Sequence, residues 1–294
     1  MSDIKYAKNG DVEIAYEVFG NPATGKPLLL IMGLDMQMVW WPTALIEQAV
    51  DRGYCVVRFD NRDAGLSTKF DSQRKENAFK ALLGGSKPQY TGLDMVNDGI
   101  AVMDAIGWES ANVLGASMGA ALAQGMAVQY PDRVRSLISV SGLPADSSKL
   151  AMMKYLKYGW YPKMAKVGNP TDRNSEIEVM SKIMKLMANG GDEAPEGWVR
   201  ETAGTSYDRS PRDPNSTQRQ LAAGNAWKAP PINTIQVPTL IVAGEVDPMI
   251  KTSAATATAN KIPNSRLVMY PKMGHLLSPE LVPAFLDEVD TVTS

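Results

Sequence analysis

Residues 112–121 read Asn-Val-Leu-Gly-Ala-Ser-Met-Gly-Ala-Ala, an apolar run that passes into Gly115-x-Ser117-x-Gly119. A short apolar run closed by glycine fits a strand covered on both faces. From Ala120 to Tyr130 the spacing is helical, and Pro131-Asp132 stops it. The motif therefore sits in a turn from strand to helix. Such a turn strains the backbone at the serine, and the two glycines keep side chains from colliding where strand and helix nearly touch. The Ser117 oxygen then projects at a helix start, where free N–H groups and the helix dipole favour a developing oxyanion.

The same rhythm continues outward. Leu28 to Met32 is an apolar run ending at Gly33, and Tyr54 to Phe59 is another ending at Asp60. Val134 to Val140, Thr239 to Ala243 and Arg266 to Tyr270 read as further strands. Asp11 to Phe19 alternates apolar and polar residues, and Asn9-Gly10 before it signals a hairpin with Ile4 to Ala7. Helical patterns over 43–50, 95–106, 253–260 and 279–289 separate the runs. Alternating strands and helices predict an α/β fold with a doubly wound, mostly parallel sheet, built from residues 1–142 and 230–294. Between 143 and 229 no strand-like run appears. Ile177, Met180, Ile183, Met184 and Met187 form a helical stripe, and Gly190-Gly191 breaks the pattern after it. This segment is expected to be a helical cap inserted into the α/β domain.

A serine hydroxyl is a weak nucleophile and needs a base. The chain has one histidine, His275, in a loop after the 266–270 strand. The base in turn needs a carboxylate to hold its tautomer. Asp247, in Gly244-Glu-Val-Asp247-Pro248, lies between serine and histidine in chain order, which is the order this fold uses. Asp146, after the 134–140 strand, is the competing acid, and Glu245 is expected in solvent. The oxyanion is expected to meet the backbone N–H groups of Met118 and Leu34, with Gly33 permitting the turn that aims the second.

Composition narrows the alternatives. The 294 residues are 44% apolar and 21% charged, enough for a sizeable core. Thirty basic against 32 acidic residues leave a net charge of -2, so nothing electrostatic draws the chain to nucleic acid. One cysteine, Cys55, allows no internal disulfide, and one histidine with one cysteine argues against a metal site built on those ligands. No dinucleotide or P-loop glycine motif follows a strand, so no cofactor is expected. The first residues carry no signal-peptide pattern and the apolar runs are too short to span a bilayer, so a cytoplasmic protein is expected.

Gly115-x-Ser117-x-Gly119, Gly244-x-x-Asp247-Pro248, Met273-Gly-His275 and Arg58-Phe-Asp60-Asn-Arg-Asp63-x-Gly65-x-Ser67 together resemble the α/β-hydrolase superfamily. The run from Leu30 through Trp41-Pro42 and on to Ser67 is most similar to the carboxylesterase branch that includes aclacinomycin methylesterase. The resemblance implies a Ser-His-Asp triad, a helical cap and ester hydrolysis without a cofactor. The cap carries no motif of the family, so the substrate does not transfer. It is the expectation of an apolar, capped pocket that favours small to medium esters, a small-molecule substrate. Many relatives carry His-Gly before the oxyanion residue, and this chain has Met32-Gly33. Other reactions of the same triad, namely perhydrolysis, lactone opening or carbon–carbon hydrolysis, share the motif set, as does a ligand receptor on the same fold.

Two further groups invite a reading. The charges of Asp60, Arg62 and Asp63, at the end of a buried strand, are expected to pair with one another and brace the loops beside Ser117. Gly33, Met36 and Trp40 beside the oxyanion loop, and Met152 and Met184 in the cap, are candidate substrate-pocket residues. Methionines at helical spacing serve equally as packing between cap and sheet.

Overall fold

The computed structural model describes residues 3–71, 88–213 and 215–293. Among the described residues eight strands form one sheet: β1 (Lys5–Asn9), β2 (Val12–Phe19), β3 (Lys26–Ile31), β4 (Tyr54–Phe59), β5 (Ala111–Ala116), β6 (Val134–Val140), β7 (Thr239–Gly244) and β8 (Ser265–Tyr270). Their order is β1-β2-β4-β3-β5-β6-β7-β8. The hairpin β1–β2 joins β4 antiparallel, and every pairing from β4 to β8 is parallel. This is the α/β architecture that the pattern of runs predicts.

Side-chain alternation feeds two cores. Leu28, Leu30, Val56, Leu114, Ile138 and Val140 face one cluster, closed by α1 (Thr43–Asp51) and the C-terminal α10 (Val282–Thr293). Leu29, Ile31, Val57, Val113 and Leu137 face the other, closed by α2 (Gly92–Ile106) and α3 (Met118–Gln129). α9 (Thr252–Lys261) covers Ile241 and Ala243 of β7. Continuous apolar strands thus follow from helices on both faces. Cys55 lies wholly inside, and burial pushes its thiol up to about 11. Local signals set the helix ends. Thr91 and Asp94 form a capping box before α2, and Gly107, at φ 80°, ends it.

After β6 the chain leaves the sheet and forms α4 (Lys149–Tyr155), α5 (Tyr161–Ala165), α6 (Arg173–Ala188), α7 (Glu196–Arg209) and α8 (Ser216–Ala226). Ile177, Met180, Ile183 and Met184 of α6 and Val199 and Ala203 of α7 join the apolar cluster that contains Trp40, Trp41 and the strand residues of the first face. Trp227, just past α8, wedges between α2 and α3. A Cβ at Gly125 would lie 2.1 Å from its ring, so only glycine fits there.

The charged run after β4 departs from expectation. Asp60, Arg62 and Asp63 do not pair with one another; each reaches a distant partner. Asp60 accepts from Arg209 of α7 at 3.0 Å and from the Met38 amide at 2.7 Å. Arg62 donates to both oxygens of Asp98 in α2 at 2.6 Å. Asp63 takes two bonds from Arg219 of α8, at 2.8 and 2.9 Å, and Arg219 also pairs with Asp213. The side chains of Asp60 and Asp63 have no exposed surface, so fixed cations held at the right distance outcompete short-range neighbours. Among the described residues no helix is long and apolar enough to cross a membrane.

Removing one partner of a buried pair leaves an uncompensated charge, which costs about 3–5 kcal/mol. Arg219→Met is therefore expected to lower the urea midpoint by that equivalent with an unchanged slope. A loss below about 1 kcal/mol would show that Asp63 does not depend on this cation.

Candidate active site

Ser117 stands between β5 and α3 at φ 56° and ψ -117°, a left-handed conformation that non-glycine residues rarely adopt. Its N–H donates to the Val140 carbonyl at 2.9 Å, which ties the turn to β6. A Cβ at Gly115 would meet the Gly119 carbonyl oxygen at 2.1 Å, and a Cβ at Gly119 would meet the Ile31 carbonyl oxygen at 2.1 Å. The two glycines of the motif are therefore required by backbone packed against backbone.

The Ser117 Oγ lies 2.9 Å from His275 Nε2, and His275 Nδ1 lies 2.7 Å from Asp247 Oδ2. His275 and Asp247 are buried, and Ser117 is half-buried at the end of this chain of contacts. The second Asp247 oxygen accepts from the amides of Met249 at 2.7 Å and Ile250 at 2.9 Å. Burial alone would raise the Asp247 carboxyl. The charge and hydrogen bond of His275 and the two amides outweigh it and hold the group below the usual carboxylate range. Asp146 lies elsewhere: it pairs with Lys261 at 2.7 Å and accepts from the Ile232 amide. Glu245 is exposed.

Gly33 abuts the serine, its would-be Cβ 3.1 Å from the Ser117 Cβ. Met118 is the first residue of α3, so its amide has no acceptor within the helix. Leu34 follows Gly33 in the loop after β3, and Asp35, at φ 58°, turns the chain onward. A cavity opens above His275 and is walled mainly by apolar side chains. Met36, Trp40 and Met184 line it, and Trp198 of α7 meets Trp40 edge-on at 5.9 Å. Trp41 Nε1 and Ser278 Oγ, on residues of the same wall, are buried without hydrogen-bond partners. Met152 is not brought to this cavity. It lies on α4, part-exposed, because the apolar cluster is filled from α6 and α7 instead.

The sequence profile of the α/β-hydrolase fold matches residues 26–280. The chain belongs to the α/β-hydrolase fold family. Rhodomycin D methylesterase of Streptomyces peucetius is 28% identical over 290 residues, covering 92% of this chain and 91% of that protein. A 2-hydroxymuconate semialdehyde hydrolase of Pseudomonas putida is 25% identical over 218 residues, covering 70% and 73%. Among solved structures, a thermophilic esterase from Thermogutta terrifontis superposes with a TM-score of 0.67 at 20% identity over 100% of both chains, a likeness of fold.

Within this α/β-hydrolase, the loops that carry the candidate residues are gripped by the helical segment after β6. The Met187 carbonyl at the end of α6 accepts from the His275 N–H at 2.9 Å, and a Cβ at Gly274 would meet that same oxygen at 2.1 Å. Asn189, left-handed at φ 50°, donates its side-chain amide to the Val246 carbonyl at 2.8 Å. Asp192 N–H donates to the Lys272 carbonyl at 2.7 Å. Lys157 Nζ donates to the Asp247 carbonyl at 2.5 Å, and the Lys157 N–H to the Met249 carbonyl at 2.8 Å. The loop after β3 is held likewise, its Asp35 N–H donating to Gln220 of α8 at 2.7 Å. None of these contacts is expected from the residue pattern. The one signal for them is Asn189-Gly190-Gly191 after the Met stripe, a composition that suits a helix C-cap as well as a simple break.

Asn189→Ala removes a hydrogen bond and places a Cβ without amide compensation in a left-handed site, a loss of about 1–2 kcal/mol. Asn189→Gly is expected to lose less, because glycine tolerates that backbone. Urea denaturation of both variants checks the order, and equal losses would mean that the backbone conformation contributes nothing.

Proposed function

We propose that this α/β-hydrolase is a serine carboxylesterase acting on small to medium esters. The observation that carries the reading is the unbroken contact chain from Ser117 through His275 to Asp247, opening into a mostly apolar cavity. Ser117 Oγ attacks the ester carbonyl carbon as His275 Nε2 takes its proton. The tetrahedral oxyanion is held by the N–H groups of Leu34 and Met118. The C–O bond to the alcohol breaks, and the imidazolium returns its proton to the leaving oxygen. Water, deprotonated by His275, then attacks the acyl-Ser117 ester and releases the acid and the free serine. Asp247 keeps the Nδ1 proton facing it and stabilises the imidazolium. The methylesterase of Streptomyces peucetius, similar over nearly its whole length, supports an ester as substrate. The apolar walls suit an acyl or alkyl chain, and the unpartnered Trp41 N–H offers a donor to a polar substituent on it. The helical segment over 143–229 serves as the cap that roofs this cavity. The Pseudomonas putida relative, a semialdehyde hydrolase, makes carbon–carbon hydrolysis the second reading.

Release of p-nitrophenol from acetate to octanoate esters tests the proposal. The wild-type protein is expected to turn these over, and Ser117→Ala and Asp247→Asn to lower kcat by at least about a thousandfold with the fold intact. Near-full activity in Asp247→Asn with loss in Asp146→Asn would overturn the acid assignment. Turnover of a vinylogous β-diketone but of no ester would favour carbon–carbon hydrolysis.

A further inference from the structure

An exposed apolar patch lies at the start of the helical segment, away from the cavity above His275. Of the five large apolar side chains that stand exposed among the described residues, four fall between 150 and 161. They are Leu150, 80% exposed, Met153, Tyr158 and Tyr161. Contacts join them into one surface. Leu150 and Met153 share the wall of a shallow recess on α4 with Lys154. The Tyr158 hydroxyl donates to the Met153 carbonyl at 2.8 Å, and its ring stacks on that of Tyr161 at 6.4 Å. Single apolar residues are ordinary on a surface, but a contiguous patch rimmed by polar groups marks an interaction site. The inner side of this stretch is already used. The Lys251 N–H donates to the Tyr155 carbonyl at 2.9 Å, and Met164 and Val167 pack on the apolar cluster.

Charge decides what fits the outer side. Residues 147–171 hold five lysines and no arginine or acidic residue, in a chain of net charge -2. Lys157 is committed to the Asp247 carbonyl. Lys149, Lys154, Lys163 and Lys166 are exposed and, among the described residues, enter no hydrogen bond or salt bridge. Helix α9, which packs beside α4, brings no acidic residue. Lysine is depleted from the centre of protein–protein interfaces. On lipid, its long stem lies along the apolar layer while its ammonium group reaches the headgroups. Tyrosine settles at the same depth. Helices α4 and α5, of 7 and 5 residues, are too short to span a bilayer, so the contact is with its surface.

We infer that the surface formed by residues 148–166 docks on a bilayer rich in anionic phospholipid. The lysines meet the headgroups, and Leu150, Met153, Tyr158 and Tyr161 enter the interface beneath them. This docking is independent of which bond the active site breaks.

Flotation with vesicles of phosphatidylcholine, alone or mixed with phosphatidylserine, tests the inference. Wild-type protein is expected to partition at least about tenfold more onto the mixed vesicles, and less as salt is raised. Lys154→Gln combined with Lys163→Gln is expected to lower that partitioning by about tenfold or more, since each lysine near an anionic surface is worth about fivefold. Leu150→Ser is expected to lower it by about fivefold through lost apolar burial. Lys5→Gln combined with Lys8→Gln makes the same change of charge on the exposed face of β1 and should leave partitioning alone. An unchanged urea midpoint shows that each variant keeps its fold. No preference for the mixed vesicles, or binding that survives the changes at 150, 154 and 163, overturns the inference. So does a dimer, lost in Leu150→Ser, in a protein that ignores both kinds of vesicle, because a second copy of the chain would then cover the patch.

Discussion

The oxygen of Ile31 sits where any side chain at position 119 would have to go, and the oxygen of Gly119 blocks position 115 in the same way. This contact between β3, β5 and α3 lets the helix start almost on top of the sheet. Ser117 is the residue caught between, and its left-handed backbone is the consequence. The rest of the structure can be traced from that point. The sheet must be covered on both faces for the crossing to hold, and the loops after β3, β7 and β8 end on the same side as the serine. Their residues Gly33, Asp247 and His275 then converge on it.

The helical segment after β6 takes part in that convergence. The end of α6 holds the loop of His275, Lys157 holds the loop of Asp247, and α8 holds the loop after β3 through Gln220. Arg209, Arg212 and Arg219 then anchor the segment to buried carboxylates of the sheet domain. The helical segment and the loops that carry His275, Asp247 and Gly33 are therefore joined by main-chain hydrogen bonds and buried ion pairs.

Much of this is legible in the residues. Buried parallel strands are written as continuous apolar runs, so the strands and their helices can be located, and the hairpin at Asn9-Gly10 forms as its turn signal implies. Ser117, His275 and Asp247 are readable because a strained turn demands glycines at fixed spacing and because the chain has a single histidine. Other features are not legible. Hydrophobic periodicity tells which face of an element is buried, but not which distant cation meets a buried carboxylate, so it does not reveal the partners of Asp60 and Asp63. The Met stripes give no means to tell roof from packing. Met184 reaches the cavity and Met152 does not, because α6 packs into the apolar cluster and α4 lies outside it. The bond from the Met187 carbonyl to the histidine loop is a main-chain matter, which side-chain patterns do not record.

If the strained serine is the nucleophile, it is also the group that an electrophile will find first. Treating the protein with a fluorophosphonate and mapping the adduct by peptide mass spectrometry tests this most directly. The expected result is one adduct per chain, on the peptide containing Ser117, formed in step with the loss of ester turnover and absent from His275→Ala. Labelling on another serine, or unlabelled Ser117 in a protein that still hydrolyses esters, would contradict it.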